Sequence, residues 1–260
     1  MIRLGLLLVV VLLPAVAAQA QQPVPVRVVS AQPAVLDIVH QIGSTSVATV
    51  LLSPAVGSAS GPSIIVTEGG IFDSWAKPFL AHLPKGATLL RARPNDDSAE
   101  GFSWYDLDAT WRFAQAFADE LTRRRPDEAV AISAALIRFQ ESLARLERSA
   151  NLVANSYRDS AVLLTDSRFS PILRMLRLRV VPVDAGLPAL ERAIRTHKGV
   201  ILIFDSETKA GMPENIRNEA EEDGLPLVGL RETMPSGLHY QQWIARAMNT
   251  IQGALNEAAP

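Results

Sequence analysis

The sequence predicts an α/β fold: two lobes, each a mostly parallel sheet flanked by helices, joined by one long connecting helix. Three observations carry that expectation. Short apolar, β-branched runs alternate with helical stretches at both ends of the chain, the pattern of parallel strands joined by crossover helices. Between them, Ile132, Leu136, Phe139, Leu143, Leu146, Ala150 and Val153 step by alternating four and three residues, one continuous apolar seam with no Gly or Pro across 127–159. The length of 260 residues, with 48% hydrophobic and 20% charged residues, is enough for a sizeable core and is globular rather than disordered.

Taken in order, residues 1–20 read as a secretory signal peptide. Arg3 supplies a positive charge, Leu4 to Leu13 is apolar, Pro14 breaks the run, and Ala18-Gln19-Ala20 is a small-x-small cleavage site. The alternative, a membrane anchor, needs about 20 helical residues to cross a ~30 Å hydrocarbon core, and this run has ten. The expected product is an exported, periplasmic chain. Residues 21–125 are expected to form the N-terminal lobe. There, strands fall at Val26–Val29, Val47–Leu52, Ser63–Thr67 and Ala87–Arg91, with a helix from Ala34 to Ile42 ended by Gly43. Ser53–Pro62 reads as a loop, Phe72–Leu83 as helical and 93–101 as irregular. A helix follows from about Asp108 to Arg125, with Asp106 or Asp108 as its N-cap.

Residues 126–158 are expected to be the connecting helix, Pro126 taking its first position and Asp127 and Glu128 opposing the dipole, about 50 Å long at ~1.5 Å per residue. Residues 159–260 are expected to form the C-terminal lobe. Its strands are expected at Ala161–Leu164, Arg179–Val183, Val200–Phe204 and Leu227–Leu230; its helices at Pro171–Leu176, Leu187–His197, Glu214–Asp223 and from His239-Tyr240 to Asn256.

Composition narrows function. A formal net charge of −2 argues against a nucleic-acid binder, which needs a cationic face. The absence of cysteine excludes thiol nucleophiles, disulfides and Cys-based zinc sites. Gly57-Ser58-Ala59-Ser60-Gly61 has Ala where a nucleophile elbow needs Ser. His40, His82, His197 and His239 are never three or four apart, so none forms a helical metal pair, and surface or capping roles suit them; His40 has Asp37 as a local partner. Asp166, Asp205, Glu207 and Glu232 follow strand ends, where ligands sit in parallel sheets and where Asp also caps helices. Phe102-Ser103-Trp104-Tyr105 precedes a helix and is open to two readings, a packing staple or a cleft wall.

Several segments resemble the zinc and manganese receptors, the metal-binding family of substrate-binding proteins of ABC importers. Val26-Arg27-Val28-Val29-Ser30, Asp37-Ile38-Val39 and Gly43 are similar to the family's start. Phe102 to Ala109 resembles its His-x-Trp-x-Asp-Pro segment, Val162 to Asp166 its strand ending in His-Asp, and Glu232-Thr233-Met234-Pro235 the segment with its last acidic ligand. The resemblance implies an exported solute-binding component, not an enzyme, that works with an ABC permease of the inner membrane and carries a divalent metal, zinc or manganese. It also marks departures. Phe102 and Thr165 stand at two of the family's His positions, the region of the first His looks shortened, and only Glu232 keeps a ligand type. One carboxylate, with Asp166 and a Thr hydroxyl nearby, falls short of the three or four ligands of a zinc site. The expected ligand cleft is thus Phe102, Ser103, Thr165, Asp166 and Glu232, with Glu232 as the metal candidate. The alternative is a relative that binds a small organic solute or a partner protein between the lobes. In either case the single long helix is expected to limit closure to small rocking.

Overall fold

The first sheet is organised around its most apolar strand. In β1 (Val26–Ser30), Val28 and Val29 are wholly buried, so this strand takes an interior position. It pairs in parallel with β2 (Val47–Leu51) on one side and β3 (Ser63–Thr67) on the other, and β3 pairs with β4 (Thr88–Arg91), giving the order β2-β1-β3-β4. The second sheet repeats the plan. There β5 (Ala161–Leu164) lies between β6 (Arg179–Val181) and β7 (Ile201–Asp205), and β8 (Leu227–Leu230) flanks β7 in the order β6-β5-β7-β8. The computed structural model of the chain describes residues 24–52, 63–68, 85–92, 103–181, 187–196, 200–208 and 212–258. The expected leader, the 53–62 loop, the 72–83 helix, the 93–101 segment, Phe102, His82 and His197 lie outside the described residues.

Helices α1 (Pro33–Gly43) and α2 (Leu107–Arg124) cover the first sheet. The N-cap of α2 is Asp106, whose carboxylate accepts a hydrogen bond from Ala109 N–H at 3.0 Å. At the other end of α2, burial alone would raise the Glu120 pKa. Hydrogen bonds from Arg123, Arg124 and Thr88 outweigh it and hold this carboxyl below its ordinary value. Gly43 ends α1 where the chain passes close to β2 and α2. A Cβ there would stand 2.5 Å from Val47 Cγ1 and 3.2 Å from Leu121 Cδ2. Gly43→Ala is therefore expected to cost roughly 1–3 kcal/mol in urea unfolding, as an overpacked core does.

The connecting helix is α3 (Ala129–Tyr157), 29 residues without a break and about 43 Å long at ~1.5 Å per residue. Its whole expected seam, Ile132 to Val153, is buried. The start differs from expectation. Pro126–Glu128 is a 3₁₀ turn, and the α-helix opens at Ala129. Buried Arg125 folds over that turn to pair with Asp127 at 3.4 Å and with Glu128, and Glu128 N–H bonds Arg125 C=O at 3.0 Å, so the first turn is tightened. The second sheet carries α4 (Ser170–Met175), α5 (Leu187–Arg195), α6 (Glu214–Glu222) and α7 (Tyr240–Glu257).

One apolar cluster runs through both lobes and along α3, taking in Ile38, Phe117, Phe139, Ile172 and Ile244. Long-range hydrogen bonds reinforce the junction. Tyr240 N–H donates to Asp37 at 2.7 Å, and His239 Nδ1 lies 2.9 Å from the other Asp37 oxygen. Asp37 therefore serves the start of α7, not the expected local partner His40. The amides of Gln41 and Gln241 bond each other reciprocally at 3.0 and 2.8 Å.

Candidate functional site

Both sheets change direction at one point. From β1 the chain first builds outward to β2 and then returns to the other side for β3; β5, β6 and β7 do the same. Adjacent strands there send their following loops apart and leave a crevice beyond their carboxyl ends, where parallel sheets bind ligands. In the first sheet that point is marked by Ser30 and Glu68, both buried, at 1% and 3% exposure. In the second it lies between the ends of β5 and β7, with the end of β8 alongside.

Those three strand ends supply a charged cluster. Asp166 follows β5, Asp205 ends β7 and Glu232 follows β8. The side chain at their centre is Arg168, which the sequence reading did not single out. Its guanidinium bonds both oxygens of Asp166, through Nε at 3.0 and 2.9 Å and through Nη2 at 2.5 Å. Nη1 reaches Glu232 at 3.1 Å, and Nη2 lies 3.8 Å from Asp205 Oδ2. The hydrogen bonds that Arg168 donates to Asp166 favour the charged guanidinium, which is held above its ordinary pKa against the opposing cost of partial burial.

Asp166 and Asp205 also have local work, as does the neighbouring Glu207. Asp166 caps the 3₁₀ turn Ser167–Phe169 by accepting from Arg168 N–H at 2.9 Å. Asp205, 1% exposed, accepts from Glu207 N–H at 2.8 Å through Oδ1, while its Oδ2 has no hydrogen-bond partner. Glu207 fastens the loop after β8, accepting from Thr233 N–H at 2.6 Å and from Arg231 at 2.7 Å. Of the two roles the sequence leaves open for Asp166, capping is the one its hydrogen bonds establish.

The other expected site residues separate. Thr165 continues the β5–β7 ladder, its N–H donating to Ile203 C=O at 3.0 Å, and its hydroxyl leans back to the same carbonyl at 3.5 Å. Ser103 opens the 3₁₀ turn Ser103–Tyr105. The aromatic pair behind it is not a cleft wall. Trp104 and Tyr105 are buried, at 2% and 0% exposure. Tyr105 packs edge-on against Phe169 and at 5.2 Å from Trp243, and its hydroxyl donates to Arg231 C=O at 2.8 Å. Tyr240 O–H donates to Trp104 C=O at 2.6 Å and lies 3.1 Å from Thr110 Oγ1. Desolvation pushes both phenols above their ordinary pKa. Of the two readings the sequence leaves open, packing prevails: long-range pairing draws these rings into the buried junction.

Chemically, three carboxylates face one guanidinium, so the cluster already contains a cation held by its own chain. Among the described residues no group of three or more His, Asp or Glu is placed to hold a metal ion. Nor does any described helix have the length and apolarity to cross a membrane.

No protein-family model matches the sequence, and no curated protein matches it either. Solved structures do. The periplasmic zinc binding protein TroA from Treponema pallidum superposes with a TM-score of 0.71 at 15% identity, over 89% of this chain and 99% of that one. The substrate-binding protein FpvC from Pseudomonas aeruginosa, in complex with Mn2+, gives 0.69 at 17% identity, over 90% and 100%. The metal-dependent lipoprotein YcdH from Bacillus subtilis gives 0.70 at 14%, over 88% and 99%. At these identities the likeness establishes architecture: the chain shares the fold of these three proteins.

Proposed function

We propose that this chain is the exported, periplasmic solute-binding component of an ABC importer, a non-enzymatic receptor that presents its solute to an inner-membrane permease. Its lobes are residues 21–125 and 159–260, on either side of the connecting helix. The fold shared with a zinc binding protein and a manganese-bound substrate-binding protein supports the class. The observation that carries the finer reading is Arg168 among Asp166, Asp205 and Glu232. A divalent ion at Glu232 would meet a tethered positive charge, and by the sequence resemblance Thr165 and Phe102 stand at two of the family's His positions. The cleft is therefore read as eroded for zinc or manganese and as holding a small organic solute. Asp205 Oδ2, buried and without a hydrogen-bond partner, favours a solute that brings an N–H donor.

The test has two parts. Periplasmic extract should contain a chain beginning at Gln21, and retention of an uncut chain in the cytoplasm contradicts export. The purified protein is then heated with a panel of organic amines and amides and with Zn2+ and Mn2+. A solute present at 100 times its Kd adds about 2.7 kcal/mol of stability, which at this size is a shift of several degrees. The reading expects such a shift from at least one organic solute, lost in Asp205→Asn, and none from either metal. A shift from metals alone reverses it.

A further inference from the structure

Away from the cleft, a cavity of about 340 Å³ opens where the two lobes meet the connecting helix. One wall is acidic: Asp106 and Asp108 from the start of α2, and Glu147 from α3. The opposite charge comes from Arg174, in the last turn of α4, and Arg177, in the turn that follows it. Asn151, one helical turn beyond Glu147, stands with them. Among the described residues, Asp108, Glu147, Arg174 and Arg177 take part in no ion pair. Charges of both signs thus line one cavity without meeting across it.

Arg177 adds an independent observation. It has φ 54°, the left-handed region where glycine is at ease and a residue carrying a Cβ is strained. Leu178 N–H closes the turn onto Leu173 C=O at 3.0 Å, the helix-ending geometry in which glycine usually occupies the position of Arg177. The chain accepts backbone strain here and places a guanidinium on the cavity. Strain of this kind gathers where a side chain is needed.

We infer that this cavity binds a basic α-amino acid. The ligand carboxylate is held by Arg174 and Arg177, and its α-ammonium and side-chain cation by Asp106, Asp108 and Glu147. Three carboxylates against two guanidiniums leave one negative charge, which a ligand with two cations and one carboxylate neutralises. A bridging zwitterion would also tie α2, α3 and α4 together. The inference does not rest on the importer reading.

The test is calorimetry of the purified full chain with L-lysine, its methyl ester, which lacks the carboxylate, and Nα-acetyl-L-lysine, which lacks the ammonium. L-Lysine is expected to bind one to one, and each blocked form at least tenfold more weakly. Arg177→Gly is expected to raise the melting temperature by about 2–4 °C through relief of the left-handed strain, yet to weaken L-lysine at least tenfold. Glu147→Gln, on an exposed helix face, is expected to weaken it similarly with the melting temperature unchanged. No heat at 10 mM L-lysine overturns the site, as does equal binding of the blocked forms. Lysine binding that survives Arg177→Gly but disappears in Arg168→Ala also overturns it, assigning the ligand to the cleft and leaving the importer reading intact.

Discussion

Replacing Arg168 with alanine is expected to destabilise the protein by about 2 kcal/mol, less than the roughly 3–5 kcal/mol for breaking a fully buried ion pair because the guanidinium is partly exposed. The loss has a definite origin. Asp205 is 1% exposed, and Arg168 is the cation beside its Oδ2. Without the guanidinium, Asp166, Asp205 and Glu232 are left as three like charges on neighbouring strand ends, in a region where water screens them poorly. The double variant Arg168→Ala/Asp205→Asn removes the buried charge together with its partner, and is expected to recover at least half of the loss. Urea unfolding of the four proteins closes the cycle. Additive losses would show that the two side chains do not interact, and the charged cluster would lose its meaning as a unit.

Stability is also expected to fall steeply above pH 10. Tyr105 and Tyr240 are buried at the lobe junction, and desolvation raises the pKa of both in the folded chain. In the unfolded chain a tyrosine ionises near its reference value of about 10. Above that pH the unfolded state holds fewer protons than the native one, so stability decreases with rising pH. The contribution is complete below about pH 10 and is lost between there and the folded-state pKa values. Each phenol costs about 1.4 kcal/mol per pH unit in that window, so the pair costs about 2.8 kcal/mol per pH unit. Tyr240→Phe should flatten the alkaline limb by half. At neutral pH it should itself cost about 1–2 kcal/mol, because Trp104 C=O and Thr110 Oγ1 lose their partner. Urea midpoints at pH 8, 10 and 11 measure both effects. An unchanged midpoint across that range contradicts the buried, hydrogen-bonded junction.

The extent to which the sequence foretold this molecule follows the range of the forces involved. The α3 seam was legible because helical periodicity is local: seven apolar residues at alternating spacings of four and three can only share a face. The strands were legible for the same reason, as were Asp106 as a cap and Gly43 as the end of α1. The 3₁₀ turn at Pro126 was not, because it depends on Arg125 folding back over Asp127 and Glu128. Asp37 pairs not with His40 but with Gln41 on its own helix and, about 200 residues away, with His239 and Tyr240, which no local spacing reveals.

The site shows the same division. Asp166, Asp205 and Glu232 could be read as strand-end acids, one strand at a time. Their convergence follows from the order β5-β7-β8, which no local pattern carries. Arg168 is not legible from the acids alone, because strand-end carboxylates point to a bound cation and not to one that the chain itself supplies. The available signal was an arginine two residues after a strand-end aspartate, at the point where the sheet changes direction. The choice between packing staple and cleft wall for Trp104 and Tyr105 could not be made locally, because their hydrogen bonds to Tyr240 and Arg231 cross from one lobe to the other.

Arg168 as the cation among Asp166, Asp205 and Glu232 is the claim on which the proposed function turns, and metal titration addresses it most directly. The purified protein is stripped with a chelator, assayed for residual metal, and titrated with Zn2+ and Mn2+ by calorimetry beside Glu232→Gln. The account predicts no stoichiometric uptake of either ion at micromolar concentration and identical traces for both proteins. One ion bound per chain with submicromolar affinity, and lost in Glu232→Gln, would contradict it.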